Sequence, residues 1–276
     1  MKIIADSATL FSPQEGADLG MTVIPVCVAI NGQTYKDYEE ISSADFLQLI
    51  EKGGVPTSSQ PSIGDVLDVL EDCNEDTLFL TVGDGLSGAY QTAMGAKQAL
   101  SDNEHIHIIN SKTLAGPLRY LAKKAVALKE QKLDLNSIKT ELERCIESSV
   151  SFVIPADFEF LKRSGRLTAF TAKVGGALKL LPVLTQTEDK TRITPIAVKR
   201  GWKTAVDVII SRLNAMNIGA EHLISISHAG TLQKAQTVLQ QIKEQFPHTE
   251  MEILELSPAL ITHGGPGCIV VQAIHK

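Results

Sequence analysis

The chain has 276 residues, 43% of them hydrophobic and 21% charged, a balance that gives an ordinary globular protein enough apolar surface for one large or two modest domains. A formal net charge of −6 argues against a protein whose main partner is nucleic acid. No apolar run reaches the roughly 18 residues of a membrane span, and the short apolar start MKIIADSATL is broken by Asp6, so it does not read as a signal peptide.

Taken in order, Lys2–Ala5 reads as a first strand, and Ser12-Pro13-Gln14-Glu15 gives a helix start with a serine cap, proline at the first helical position and Glu three residues on. Thr22–Ile30 and Thr34–Tyr38 are expected to form a hairpin around Asn31-Gly32. A helix is predicted over Ala44–Lys52, ending at Gly53-Gly54, then a loop over Pro56–Ser62 and a helix over Ile63–Cys73 that Ser62 caps. Strand Leu78–Val82, helix Ala89–Leu100, strand His105–Asn110 and helices over Leu118–Gln131 and Leu135–Ser148 follow. Strands separated by helices of this length imply a parallel sheet covered on both faces.

Beyond a boundary placed near residue 150 the pattern changes. Val150–Pro155 reads as a strand, with helical segments to about Lys179, and Leu181–Gln186 and Arg192–Lys199 form a hairpin around the polar TEDKT turn. Helix Lys203–Asn214, strand His222–Ser227, helix Leu232–Phe246 and strands Glu250–Leu256 and Cys268–Ile274 complete the chain. The expected fold is therefore two-domain α/β, with residues 1–150 forming a three-layer α/β/α domain with a parallel sheet. Residues 151–276 form an α/β domain with a six-stranded mixed sheet.

Four cysteines (27, 73, 145 and 268) lie far apart with no C-x-x-C pair, which fits reduced thiols in a cytoplasmic chain and neither zinc nor a disulfide framework. Ser151–Ala205 holds ten Lys or Arg against four acids, so the segment is +6 and the remainder −12. Such a segment suits a docking face for an acidic or phosphorylated partner, or an ordinary solvated surface.

The stretch TLFLTVGDGLSGAYQTA (Thr77–Ala93) admits three chemistries. Gly83-x-Gly85-x-x-Gly88 has dinucleotide-loop spacing, but strand His105–Ile109 ends in Asn110-Ser111 where a ribose-binding carboxylate is required. Gly85-x-Ser87-x-Ala89 has nearly the spacing of a hydrolase elbow, and His263 follows late in the chain, yet no acid is well placed to complete a triad. In the third reading Ser87 is a neutral donor at a helix start, joined by the hydroxyls of TSSQPS (Thr57–Ser62) and by His263 in THGGPG (Thr262–Gly267). That constellation suits one carboxylate. Each signal also has a plainer origin: turn and cap serines, and a histidine incidental to a glycine loop.

The stretches ADS (Ala5–Ser7), SSQPS (Ser58–Ser62), GLSGAY (Gly85–Tyr90), FLKRSGRL (Phe160–Leu167) and HGGPG (His263–Gly267), in this order and spacing, resemble the DegV family of bacterial fatty-acid-binding proteins over essentially the whole chain. The resemblance implies a two-domain α/β protein of the cytoplasm that buries a long-chain fatty acid between its domains and presents the carboxylate to a separate fatty-acid kinase. It implies no catalytic residue, no metal and no cofactor beyond the bound lipid. Ser58, Ser59, Ser87, Gly88 and His263 would then bind the carboxylate, and Arg166 would belong to the pocket mouth or the kinase-docking side; Arg200 is expected there too, as part of the basic segment 151–205. Ser58 stands where the family usually has threonine, and Asn110 where aspartate is usual; Pro117-Leu118-Arg119 replaces a glycine-rich stretch that is expected to line the acyl tunnel. A serine esterase using Ser87 and His263 is the alternative.

Overall fold

A computed structural model describes residues 1–168 and 180–276, so the helical segments expected between residue 169 and Lys179 lie outside the described residues. The first half contains β1 (Lys2–Asp6), α1 (Pro13–Asp18), β2 (Thr22–Ile24), β3 (Cys27–Ile30), β4 (Gln33–Lys36), α2 (Ser43–Glu51), β5 (Thr57–Ser59) and α3 (Ile63–Glu71). It continues with β6 (Thr77–Thr81), α4 (Ala89–Ala99), β7 (Ile106–Asn110), α5 (Ala115–Glu130) and α6 (Leu135–Ser148). The second half runs through β8 (Val150–Ile154), α7 (Phe158–Ser164), β9 (Leu181–Gln186), β10 (Ile193–Lys199) and α8 (Trp202–Ala215). It ends with β11 (His222–His228), α9 (Leu232–Gln245), β12 (Glu250–Glu255), α10 (Pro258–Gly264) and β13 (Ile269–His275).

Strands β2-β1-β6-β7 form a parallel sheet. Period-two alternation sends Ile3, Ala5, Leu78 and Leu80 to one face, against Leu118, Leu121, Ile138 and Leu142 of α5 and α6. Ile4, Phe79 and Ile106 go to the other, against Val66, Leu70, Ala93 and Ala96 of α3 and α4. This is the expected three-layer arrangement. The Ser12 cap forms in full: its Oγ accepts from the Glu15 N–H while Glu15 accepts from the Ser12 N–H.

The strand expected over Thr22–Ile30 is two strands in different sheets. Pro25 cannot donate to a ladder, and the chain leaves the parallel sheet there. β3 then starts a separate three-stranded sheet in the order β4-β3-β5. Asn31 (φ 54°) and Gly32 (φ 79°) turn the β3–β4 hairpin, both in the left-handed region that a primed turn requires. Thr57–Ser59, read as loop, is its third strand, with Ser58 opposite Val28.

The second sheet has the order β10-β9-β8-β13-β11-β12 and mixes parallel and antiparallel pairs. One face carries Phe152, Ile154, Ile224, Ile226 and Val271 beneath α8 and α9. The other face is not uniformly apolar. Ser151 opposes Gln272, Gln272 opposes Ser225, and Ser225 opposes Glu252, a polar row crossing four neighbouring strands. Its members bond sideways: Gln272 Nε2 donates to Ser151 Oγ (2.9 Å) and Ser225 Oγ to Glu252 Oε1 (2.7 Å). The start of α5 lies against this row, with the Gly116 N–H donated to Gln272 Oε1. A Cβ at position 116 would stand 2.3 Å from the Ser225 side chain, so only glycine lets the helix approach this closely.

The β9–β10 turn crosses back to the first half. Gln186 Nε2 donates to the Lys112 carbonyl, and Lys190 Nζ donates to the carbonyls of Ile146 and Glu147 at the end of α6. A cation there also complements the negative end of the helix. Part of the positive charge of residues 151–205 is therefore consumed in holding the structure together.

Candidate functional site

Between the sheets lies a cavity of about 110 Å³, several times the ~10–15 Å³ that one water requires. Its walls are mostly aliphatic, with Val26, Val82, Leu86, Val153, Leu161 and Val270 among them. Both halves of the chain contribute. An apolar space of this kind favours an apolar occupant over water.

Polar groups converge at one part of the wall. Ser58 Oγ lies 2.9 Å from His263 Nε2, joining β5 to the last turn of α10. Burial, reinforced by the nearby positive charge of Arg166, pushes His263 down to about 4, so the ring is neutral at pH 7. Among the described residues its buried Nδ1 has no hydrogen-bond partner. Ser87 also lines the cavity and sits one residue before Gly88, the cap position of α4. Its Oγ accepts from the Ala89 N–H (3.2 Å), which leaves the hydroxyl proton to donate elsewhere. Ser59 and Gln60 line the exposed edge.

Gly88 itself does not line the cavity; a Cβ there would meet Gln60 Oε1 at 3.1 Å, so a side chain would crowd Gln60. Arg166 does line it, and its guanidinium donates to the carbonyls of Leu86 (3.1 Å) and Ser164. Arg200 is exposed just ahead of α8 and is not part of the lining. Of Asn110–Tyr120 only Leu114 reaches the cavity. Leu118 is in the α5 core and Arg119 stacks on Phe11, its Cζ 3.6 Å from the ring centroid, so the expected tunnel wall is helix packing. Asn110 Oδ1 accepts from the N–H groups of Asp84 and Lys112, both at 3.0 Å, and does without charge what an aspartate would do there.

The glycine loop is explained by its neighbours. A Cβ on Gly83 would lie 2.9 Å from the Lys112 backbone, and one on Gly85 2.8 Å from the Thr191 carbonyl oxygen, at a φ of +83°. The glycines make room for protein, where a dinucleotide loop makes room for pyrophosphate. The hydrolase arrangement gains no support either. His263 is bonded to Ser58, and no carboxylate orients its second nitrogen among the described residues. Accordingly, p-nitrophenyl esters should not be turned over and a fluorophosphonate should not label the protein; stoichiometric labelling at Ser87 would restore the esterase reading.

A buried carboxylate network positions the site, and only its ADS member stood out in the sequence. Asp6 accepts from the N–H groups of Ala8 and Val82, fixing the start of the glycine loop. Asp37 accepts from Ser7 Oγ (2.8 Å) and from the Ala259 N–H (3.3 Å) in the first turn of α10, while Ser7 Oγ accepts from the Val26 N–H. Desolvation raises Asp6 to about 6 and Asp37 to about 7. Among the described residues, no group of His, Cys, Asp and Glu is arranged to hold a metal, and no helix is long and apolar enough to cross a membrane.

Comparison with known proteins agrees with this fold. The family model described as "Uncharacterised protein, DegV family" matches residues 1–276. A DegV domain-containing protein of Listeria innocua is 27% identical over 275 residues, covering 97% of this chain and 95% of its own. A solved structure described as fatty acid binding of a DegV family protein from Thermus thermophilus superposes with a TM-score of 0.88 at 27% identity, covering 100% of this chain and 99% of that one. The structure of DegV, a fatty acid binding protein from Bacillus subtilis, covers 100% of this chain and 99% of its own with a TM-score of 0.85 at 23% identity, a likeness of fold.

Proposed function

The chain belongs to the DegV family, and from that premise we propose that it binds a long-chain fatty acid and presents the carboxylate to a separate fatty-acid kinase that forms the acyl phosphate. The observation that carries this reading is the Ser58–His263 pair which, with Ser87, supplies neutral donors beside an otherwise aliphatic cavity. The similar Thermus thermophilus protein, described as binding fatty acid, supports it. Removing an acyl chain from water contributes roughly 0.8 kcal/mol per methylene, so the chain supplies affinity and the headgroup needs only orientation. Ser58, Ser87 and neutral His263 hold a carboxylate without a salt bridge and leave one oxygen free to attack a phosphoryl group. Ser59 lies at the rim, and Gly88 leaves room for Gln60. We place the domain boundary near residue 150, with the ligand between the two domains, because the cavity wall draws on both sides of it. Phosphoryl chemistry belongs to the partner, and this chain works in the cytoplasm as its binding subunit.

Native mass spectrometry of the purified protein, followed by lipid extraction, tests the reading. A fatty acid should be retained. Retention of a nucleotide, or failure to take up stearate when it is supplied, would overturn it.

The two arginines separate binding from docking. Arg200→Glu should leave fatty-acid affinity unchanged and lower the rate at which the kinase forms acyl phosphate, with the wild-type rate itself falling as salt rises. Arg166→Glu should weaken fatty-acid binding, because its side chain braces the Leu86 carbonyl in the cavity wall. Unchanged fatty-acid affinity in Arg166→Glu, together with a loss of transfer, would instead assign Arg166 to the kinase face.

A further inference from the structure

The polar row of the six-stranded sheet also reaches the cavity lining, beside a buried acceptor that has no partner among the described residues. Ser151 lines the cavity and lies one residue before Phe152, which pairs with Thr185. Extending that antiparallel register sets Gln186, another lining residue, directly opposite Ser151. Directly opposed side chains share a sheet face with Cβ atoms about 4.5–5.5 Å apart.

The two side chains have complementary unused capacity. The Gln186 amide nitrogen donates to the carbonyls of Lys112 (2.9 Å) and Lys190 (3.3 Å). Both partners are acceptors, so the amide orientation is determined by its surroundings. The carbonyl oxygen, Oε1, is buried and has no donor among the described residues. Ser151 Oγ accepts from Gln272 Nε2, so its proton remains to be donated. One side offers an acceptor and the other a donor. A hydroxyl is the small group that gives a proton to the first while accepting from the second; a ketone or ether can only accept.

Resting on the fatty-acid reading above, we propose that Gln186 and Ser151 form a second polar subsite and that the ligand class includes fatty acids carrying a hydroxyl on the acyl chain. The subsite matches one position along the chain, so it selects among positional isomers. A buried hydroxyl with no partner would weaken binding roughly ten- to a hundredfold relative to the plain chain. At the matching carbon that loss disappears, because the hydroxyl satisfies Gln186 Oε1.

The test is a binding series on the full-length protein: stearate, monohydroxystearates substituted at successive positions, and the corresponding oxostearates. One hydroxy isomer should bind at least as tightly as stearate, and its oxo counterpart at least tenfold more weakly. Gln186→Met should retain stearate binding and abolish the advantage of that isomer. Retained stearate affinity also shows that the variant is folded, and Ser151→Ala provides a second variant with the same expected reversal. If stearate binds but every hydroxylated isomer is penalised, an ordered water satisfies Gln186 and this inference fails while the fatty-acid reading stands. If stearate itself does not bind, the fatty-acid reading fails first.

Discussion

Ser87→Ala is expected to weaken fatty-acid binding roughly ten- to a hundredfold, the loss of about 1.5–3 kcal/mol from a hydroxyl donor to a charged group. The hydroxyl oxygen already accepts from the Ala89 N–H, so its proton is directed away from the helix and is available to a carboxylate. The same substitution removes that accepted bond, and loss of a cap-like bond typically costs about 1 kcal/mol of stability. A methyl ester of equal chain length separates the two effects, since it buries the same methylenes without the charge. The acid should lose much more affinity than the ester. Ser58→Ala and His263→Ala, whose side chains are bonded to each other, should be strongly non-additive together and less than additive with Ser87→Ala. Equal losses for acid and ester in isothermal titration would place Ser87 in the fold instead of the headgroup site.

Asp37→Asn is expected to gain stability relative to wild type as pH rises from about 4 to about 7. Burial raises the Asp37 carboxyl from 3.8 to about 7, so between those values the native state binds more protons than the unfolded state. The group's contribution to unfolding free energy therefore falls as pH increases through this window. At about 1.4 kcal/mol per pKa unit, the accumulated difference is on the order of 4 kcal/mol. Asp6 contributes in the same direction and His263, lowered to about 4, in the opposite one. The His263 contribution is common to both proteins, whereas Asp6, whose charge itself raises Asp37, is coupled to it, so the difference reports Asp37 together with that coupling. Urea denaturation of both proteins at several pH values measures it. A difference independent of pH would mean that Asp37 ionises as an exposed aspartate does.

Most elements were legible because their signals are local. Ser12-Pro13-Gln14-Glu15 carries its own cap and Asn31-Gly32 its own turn, so neither depends on distant residues. The failures needed nonlocal information. Pro25 ends one strand, but only the sheet arrangement reveals that the next strand joins a different sheet. Thr57–Ser59 has the composition of a loop and becomes a strand because β3 presents a free edge. Ser58, Ser87 and His263 are legible as candidates because each stands in a glycine- or proline-punctuated motif. Ser151 and Gln186 carry no such signal: a lone serine between Val150 and Phe152 and a glutamine between two threonines at a strand end both read as solvent-facing. The register across neighbouring strands turns both toward the cavity. Asp37 escaped notice because its importance comes from Ala259, 222 residues away.

The strand order also dictates a sequence of events during synthesis. β13 follows all its neighbours in the chain yet lies in the middle of its sheet, between β8 and β11. Until a ribosome has released it, β8 and β11 each keep an open edge, and Ile224, Ile226 and Phe152 face no completed layer. The parallel sheet has all four strands by Asn110 and can assemble much earlier. Such long-range pairing is slow and leaves apolar edges exposed to other chains. The nascent protein therefore carries a folded leading half and a trailing sheet still split into β10-β9-β8 and β11-β12, and the cavity, whose wall includes Val270, closes only when β13 joins them.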